Sequence, residues 1–155
     1  MPPFPRWSAA LLPLFLMAAV ARAADPVTPE LTPRLDQLLT EEMQAVQEAM
    51  HAIHTGIVTG DHATVAERAE AIHASFILKR ELTEADRRDL KAAVPDDFLK
   101  RDQRFHATAA ELAEAAEAED TGQELHLYRR MTDSCIACHG EYVGDRFPGL
   151  KGPED

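Results

Sequence analysis

An all-α fold is what this sequence predicts: an antiparallel four-helix bundle with a short extra helix between helices two and three. Three observations carry that reading. No stretch sustains the period-two alternation of β-branched and aromatic residues that a strand needs. Apolar residues instead recur in steps of three and four through most of the chain, and alanine, leucine, glutamate and glutamine, all good helix formers, dominate. Each long periodic segment ends at a glycine, a proline or a cluster of capping residues, and the connections between segments are short, which favours antiparallel neighbours.

Helix one begins at Pro33, behind Thr32 as cap, runs to Thr59 and stops at Gly60. Its expected inward stripe is Leu35, Leu39, Met43, Val46, Met50, Ile53 and Ile57. Asp61 caps helix two, which is expected to reach about Lys79 with Val65, Ala69, Ile72 and Phe76 inward. Thr83, with Asp86 three residues on, opens the short helix in "LTEADRRDLKAAV", which Pro95 ends. Helix three starts at Asp96 or Asp97, with the stripe Phe98, Asp102, Phe105, Ala109, Leu112 and Ala116, and "EDTG" breaks it. Helix four runs from about Gln123 to Tyr142, with Leu125, Tyr128, Met131, Cys135 and Cys138 on one side, and Gly144 and Pro148 end it.

The N-terminus, "MPPFPRWSAALLPLFLMAAVARAADPV", combines Arg6, an apolar run from Ala9 to Val20 and the small-residue pattern Ala21-Arg22-Ala23. This is the pattern of a secretory signal peptide, residues 1–23, cleaved after Ala23 to leave an exported, periplasmic domain over residues 24–155. The apolar run is short for a bilayer span and contains Pro13, and no later run is longer, so no membrane span is expected after cleavage. Losing Arg6 and Arg22 leaves 14 basic residues against 27 acidic ones, a net charge of −13. Such a surface is a poor partner for nucleic acid or anionic lipid.

The two cysteines, Cys135 and Cys138, both fall in "MTDSCIACHGEYVGDRFPGL", with His139 directly behind them. A structural zinc site needs about four ligands, and there is no second cysteine pair. A thioredoxin-type pair follows a strand, and none precedes this one. C-x-x-C-H is the attachment pattern of a c-type haem. On a helix, Cys135 and Cys138 share a face, so each thiol can reach one haem vinyl group. His139 then presents a ring nitrogen to the iron as the proximal ligand. One haem c, bound covalently through two thioethers, is the expected cofactor.

A helical bundle with C-x-x-C-H on its last helix resembles the class II cytochromes c, the group of cytochrome c prime and its low-spin relatives. The resemblance spans about Leu35 to Tyr142 and is sharpest at Cys135, Cys138, His139 and Tyr142. It implies a haem packed inside one end of the bundle. It also implies one of two functions: a five-coordinate, gas-binding iron, as in cytochrome c prime, or electron transfer through an iron that takes a methionine from helix one. Relatives of this kind often pair through their helix faces, so the resemblance admits a homodimer. Two departures stand out. Val143 follows Tyr142 where many cytochromes c prime carry a basic residue, the nearest arginine being Arg146, and the short helix over Thr83 to Val94 is additional.

In an up-down-up-down bundle the end of helix four lies beside the start of helix one, the end of helix two and the start of helix three. Met131 stands eight residues before His139 on the same helix, roughly 12 Å away along its axis. Met50 is roughly 10 Å deeper than Met43, and His51, His54, His62 and His126 are further from the right level. Met43 has the right height, as sixth ligand or as core filler, and His73 is the nearest rival. His106 follows Asp102 by four, which suits a structural hydrogen bond. Phe76, Phe98 and Phe105 are candidate walls, and Arg34 and Arg146 are candidate propionate partners. No nucleophile–base pair, phosphate loop or carboxylate dyad stands out, so no enzyme is expected. The reading is an exported monohaem c-type electron carrier with His139 and Met43 on the iron, serving a redox protein partner. The alternative is a five-coordinate gas-binding haem protein.

Overall fold

The computed structural model describes residues 26–75 and 82–150. Its long elements are α1 (Pro33–Thr59), α2 (His62–Ala74), α3 (Glu84–Ala93), α4 (Asp96–Glu117) and α5 (Thr121–Tyr142), with 3-10 turns at Thr28–Glu30 and Pro148–Leu150. The fold is all-α, a helical bundle with α3 as the short extra helix. The leader, the cleavage site, Phe76 and the expected end of helix two near Lys79 lie outside the described residues.

Side-chain caps set the helix starts. Thr32 accepts from Leu35 N, Asp61 from Thr64 N and Asp120 from Gln123 N. Thr83 and Asp86 form a reciprocal capping box at the start of α3. Gly60 ends α1 at φ 72°, a left-handed backbone that glycine adopts at little cost. Helix α5 begins two residues earlier than the sequence suggests, because Asp120 caps it and Gly122 is accommodated in its first turn.

The apolar interior forms two clusters. The larger holds Val46, Met50, Ile53, Ile57, Val65, Ala69, Ile72, Ala109, Leu112, Leu127 and Met131. The smaller, at the other end of the bundle, holds Val27, Leu35, Leu38, Leu82, Leu90, Val94 and Tyr142, with Leu39, Phe98, Leu99 and Cys138 packed against it. Helices α1 and α2, α2 and α4, and α4 and α5 form close seams, whereas α1 and α5 meet loosely.

The expected stripe of α1 needs correction. Leu35, Val46, Met50, Ile53 and Ile57 are buried as expected, but Leu38, Glu42 and Ala49 complete the buried arc. Leu39 is half-buried, and Met43 is 39% exposed. The arc that faces the bundle passes one position before Leu39 and Met43, through Leu38 and Glu42. On α5, likewise, Leu127 and Glu124 turn inward while Leu125 faces solvent. Among the described residues no helix is long and apolar enough to cross a membrane.

Candidate functional site

Cys135, Cys138 and His139 occupy the last two turns of α5, at the end of the bundle that holds the smaller apolar cluster. Both thiols are free and half-buried. Burial raises the Cys135 pKa, and burial together with the nearby Asp102 carboxyl pushes Cys138 up to about 11. Both therefore stay as thiols at neutral pH. Burial lowers the His139 pKa, which favours the neutral imidazole, the form that coordinates a metal. The His139 ring stacks on Phe147, centroids 4.4 Å apart and planes 9° from parallel.

Tyr142 anchors the floor of this end. It is buried, donates a hydrogen bond to Asp97 Oδ2 (3.1 Å) and meets Phe98 edge-on with centroids 5.3 Å apart. Burial and the bond to Asp97 push its pKa up to about 12. Arg101 joins Asp97 (2.7 Å) to Glu141 (2.9 Å), tying the start of α4 to the end of α5.

The residues fit a covalently held haem in four respects. The two thiols lie three residues apart on one helical face. The imidazole is in its coordinating form. Cys138 already packs on the apolar cluster of Leu35, Leu38, Phe98 and Tyr142. Helices α1 and α5, which both contribute side chains to that cluster, meet only loosely. Among the described residues no group of three or more His, Cys, Asp or Glu is arranged for a bare metal ion, whereas a haem iron needs only one or two protein ligands.

Met43 stands outside the buried arc of α1. Arg146, in the segment after α5, bonds to Asp36 (2.6 Å) and approaches Thr40 (3.5 Å). Met43 follows Thr40 by three, so it continues the same face of α1. With 39% of its surface exposed, it is not core filler. His73 lies on the exposed flank of α2 and donates from Nδ1 to His106 O (3.1 Å), which bridges α2 and α4. Arg34 and Arg146 are engaged with Asp86 (3.2 Å) and Asp36. Phe105 joins the larger cluster, away from the smaller one.

A layer of polar groups separates the two apolar clusters, and the sequence only half disclosed it. His106 donates from Nδ1 to Ile72 O (2.7 Å). Its Nε2 lies 3.7 Å from Asp102 Oδ1 and 3.5 Å from Glu42 Oε1. The 3.7 Å separation is too long for the hydrogen bond expected between His106 and Asp102. Glu42 is the partner that the apolar-stripe reading missed. A similar inward carboxylate, Glu124, receives His62 Nδ1 at 2.7 Å near the opposite end of the bundle.

Burial, and then the neighbouring Glu42, push Asp102 up to about 7. The unfolded carboxyl releases its proton near its ordinary value, so the folded chain holds more protons between pH 4 and 7. Stability therefore falls as pH rises through that window. His62 acts in the same direction. Its pKa is raised chiefly by the hydrogen bond to Glu124, and that contribution is lost as pH climbs through the raised value. Urea unfolding of the wild type should lose on the order of 4 kcal/mol from Asp102 between pH 4 and 8. Asp102→Asn should remove most of that slope. An unchanged slope in the variant would contradict the placement of Asp102.

Comparison with known protein families, with curated proteins and with solved structures finds no match.

Proposed function

We propose that the chain is an exported monohaem c-type cytochrome that carries electrons, with the haem fixed to Cys135 and Cys138 and its iron held by His139 and Met43. The observation that carries this reading is the C-x-x-C-H run on the last turns of α5, with Cys138 packed on an apolar cluster. When bound, the haem supplies one-electron chemistry. The protein's own residues do the rest. Each thiol would add S–H across one vinyl double bond, sulfur to one carbon and hydrogen to the other. His139 offers a neutral ring nitrogen to the iron. Leu35, Leu38, Phe98 and Tyr142 keep water from that end of the bundle, and the Arg101 bridge holds α4 and α5 together there.

One observation favours the five-coordinate alternative: Met43 is off the buried arc of α1 and exposed, away from the inward face that a ligand would occupy. The absorption spectrum of the oxidised protein separates the two readings. The carrier gives low-spin bands with a methionine–iron charge-transfer feature near the red end, and the gas binder gives a high-spin spectrum. The export reading is checked by N-terminal sequencing of the haem-loaded protein, which should begin at Ala24. An intact Met1 on that protein would contradict export with cleavage.

A further inference from the structure

Metal-binding histidines usually owe their ring orientation to a hydrogen bond from the second ring nitrogen to a carboxylate or carbonyl. Among the described residues, the closest arrangement around His139 is of a different kind. The Phe147 ring lies parallel to the imidazole at 4.4 Å. The segment carrying Phe147 is built onto the end of α5. Phe147 N donates to Val143 O (3.1 Å), and Leu150 N donates to Phe147 O (3.0 Å). Arg146 straps the same segment to Asp36 of α1 at 2.6 Å. Gly140, next to His139, admits the turn closely. A Cβ at that position would lie 2.7 Å from Leu150 O, a contact with backbone that could not be relieved by a side-chain movement.

We infer that Phe147 is a positioning residue for the axial histidine, setting the plane of the His139 ring by stacking. The inference rests on the haem reading above. It assigns a role to the segment after α5, which otherwise bears no side chain of the attachment motif. A parallel aromatic neighbour restricts rotation of the imidazole about its Cβ–Cγ bond, and it shields one ring face from water. Aromatic pairs hold their geometry beyond what burial alone supplies.

Added cyanide makes the oxidised iron low-spin, and in that form the plane of the His139 imidazole would set the pattern of the haem-methyl proton shifts. The test is NMR of the haem-loaded protein as wild type, Phe147→Ala, Phe147→Leu and Phe147→Tyr. Covalent haem is verified on each sample after denaturation. The Ala and Leu variants should redistribute the four methyl shifts, and the Tyr variant should keep the wild-type pattern. Leucine fills space without a ring plane, so a wild-type pattern in Phe147→Leu would reduce the role to packing and overturn the inference. A wild-type pattern in Phe147→Ala would overturn it as well. Failure of the wild type to carry covalent haem would instead overturn the haem reading on which the inference stands.

Discussion

Replacing both Cys135 and Cys138 by alanine should leave an exported chain that carries no covalent pigment. The effect is all or nothing, because the chain contains no other cysteine to form a thioether. Each single replacement should leave one thioether, since the two half-buried thiols lie on the same face of α5 and each would take one vinyl group of the proposed haem. Replacing the two cysteines removes little packing from the larger cluster, whose members on α5 are Leu127 and Met131. Cys138 packs on the smaller cluster, so its replacement costs some packing there, but the all-or-nothing loss is that of attachment. The check is a denaturing gel stained for haem peroxidase activity. Retention of stain by the double variant would remove the motif's assigned role.

Met43→Ala should turn the iron high-spin while leaving the haem attached, because Cys135, Cys138 and His139 are untouched. Carbon monoxide should then bind readily to the reduced protein. The reduction potential should fall, since a thioether ligand favours ferrous iron. Met43 is 39% exposed, so its truncation should cost little folding stability. Met50 supplies the contrast. It is buried in the larger cluster, and Met50→Ala should cost about 2–5 kcal/mol in urea unfolding without altering the spin state. A Met43→Ala protein that stays low-spin would send the sixth position to another side chain. A wild type that is already high-spin would favour gas binding.

The helix boundaries were legible because local chemistry sets them. Thr32, Asp61 and the Thr83–Asp86 box each act within three residues of themselves, so a single pass along the chain finds them. Helix α5 was read two residues short because Gly122 resembles a stop, while the decisive Asp120 cap stands just before it. The inward face of α1 was harder. A search for apolar steps selects Leu39 and Met43, and it passes over Glu42 because a carboxylate is not expected inside. Glu42 is buried with His106 facing it from α4 at 3.5 Å, a pairing between residues far apart in sequence. Glu124 turns inward for a related reason, with His62 opposite it.

The candidate site divides in the same way. Cys135, Cys138 and His139 are singled out by spacing alone, and the structure adds that the two thiols are half-buried on the last turns of α5. The relation of Phe147 to His139 depends on the chain folding back after Tyr142, which no periodicity announces. Met43 falls between these cases. Its level along α1 follows from helix rise alone, whereas its exposure follows from Leu38 and Glu42 taking the inward arc.

The central claim is covalent haem on an exported chain. It is tested most directly by denaturing the purified mature protein and extracting it with acidified organic solvent. The account predicts that the pigment stays with the polypeptide, with the mass of one haem added to residues 24–155. A colourless polypeptide, or pigment that passes entirely into the solvent, would contradict it.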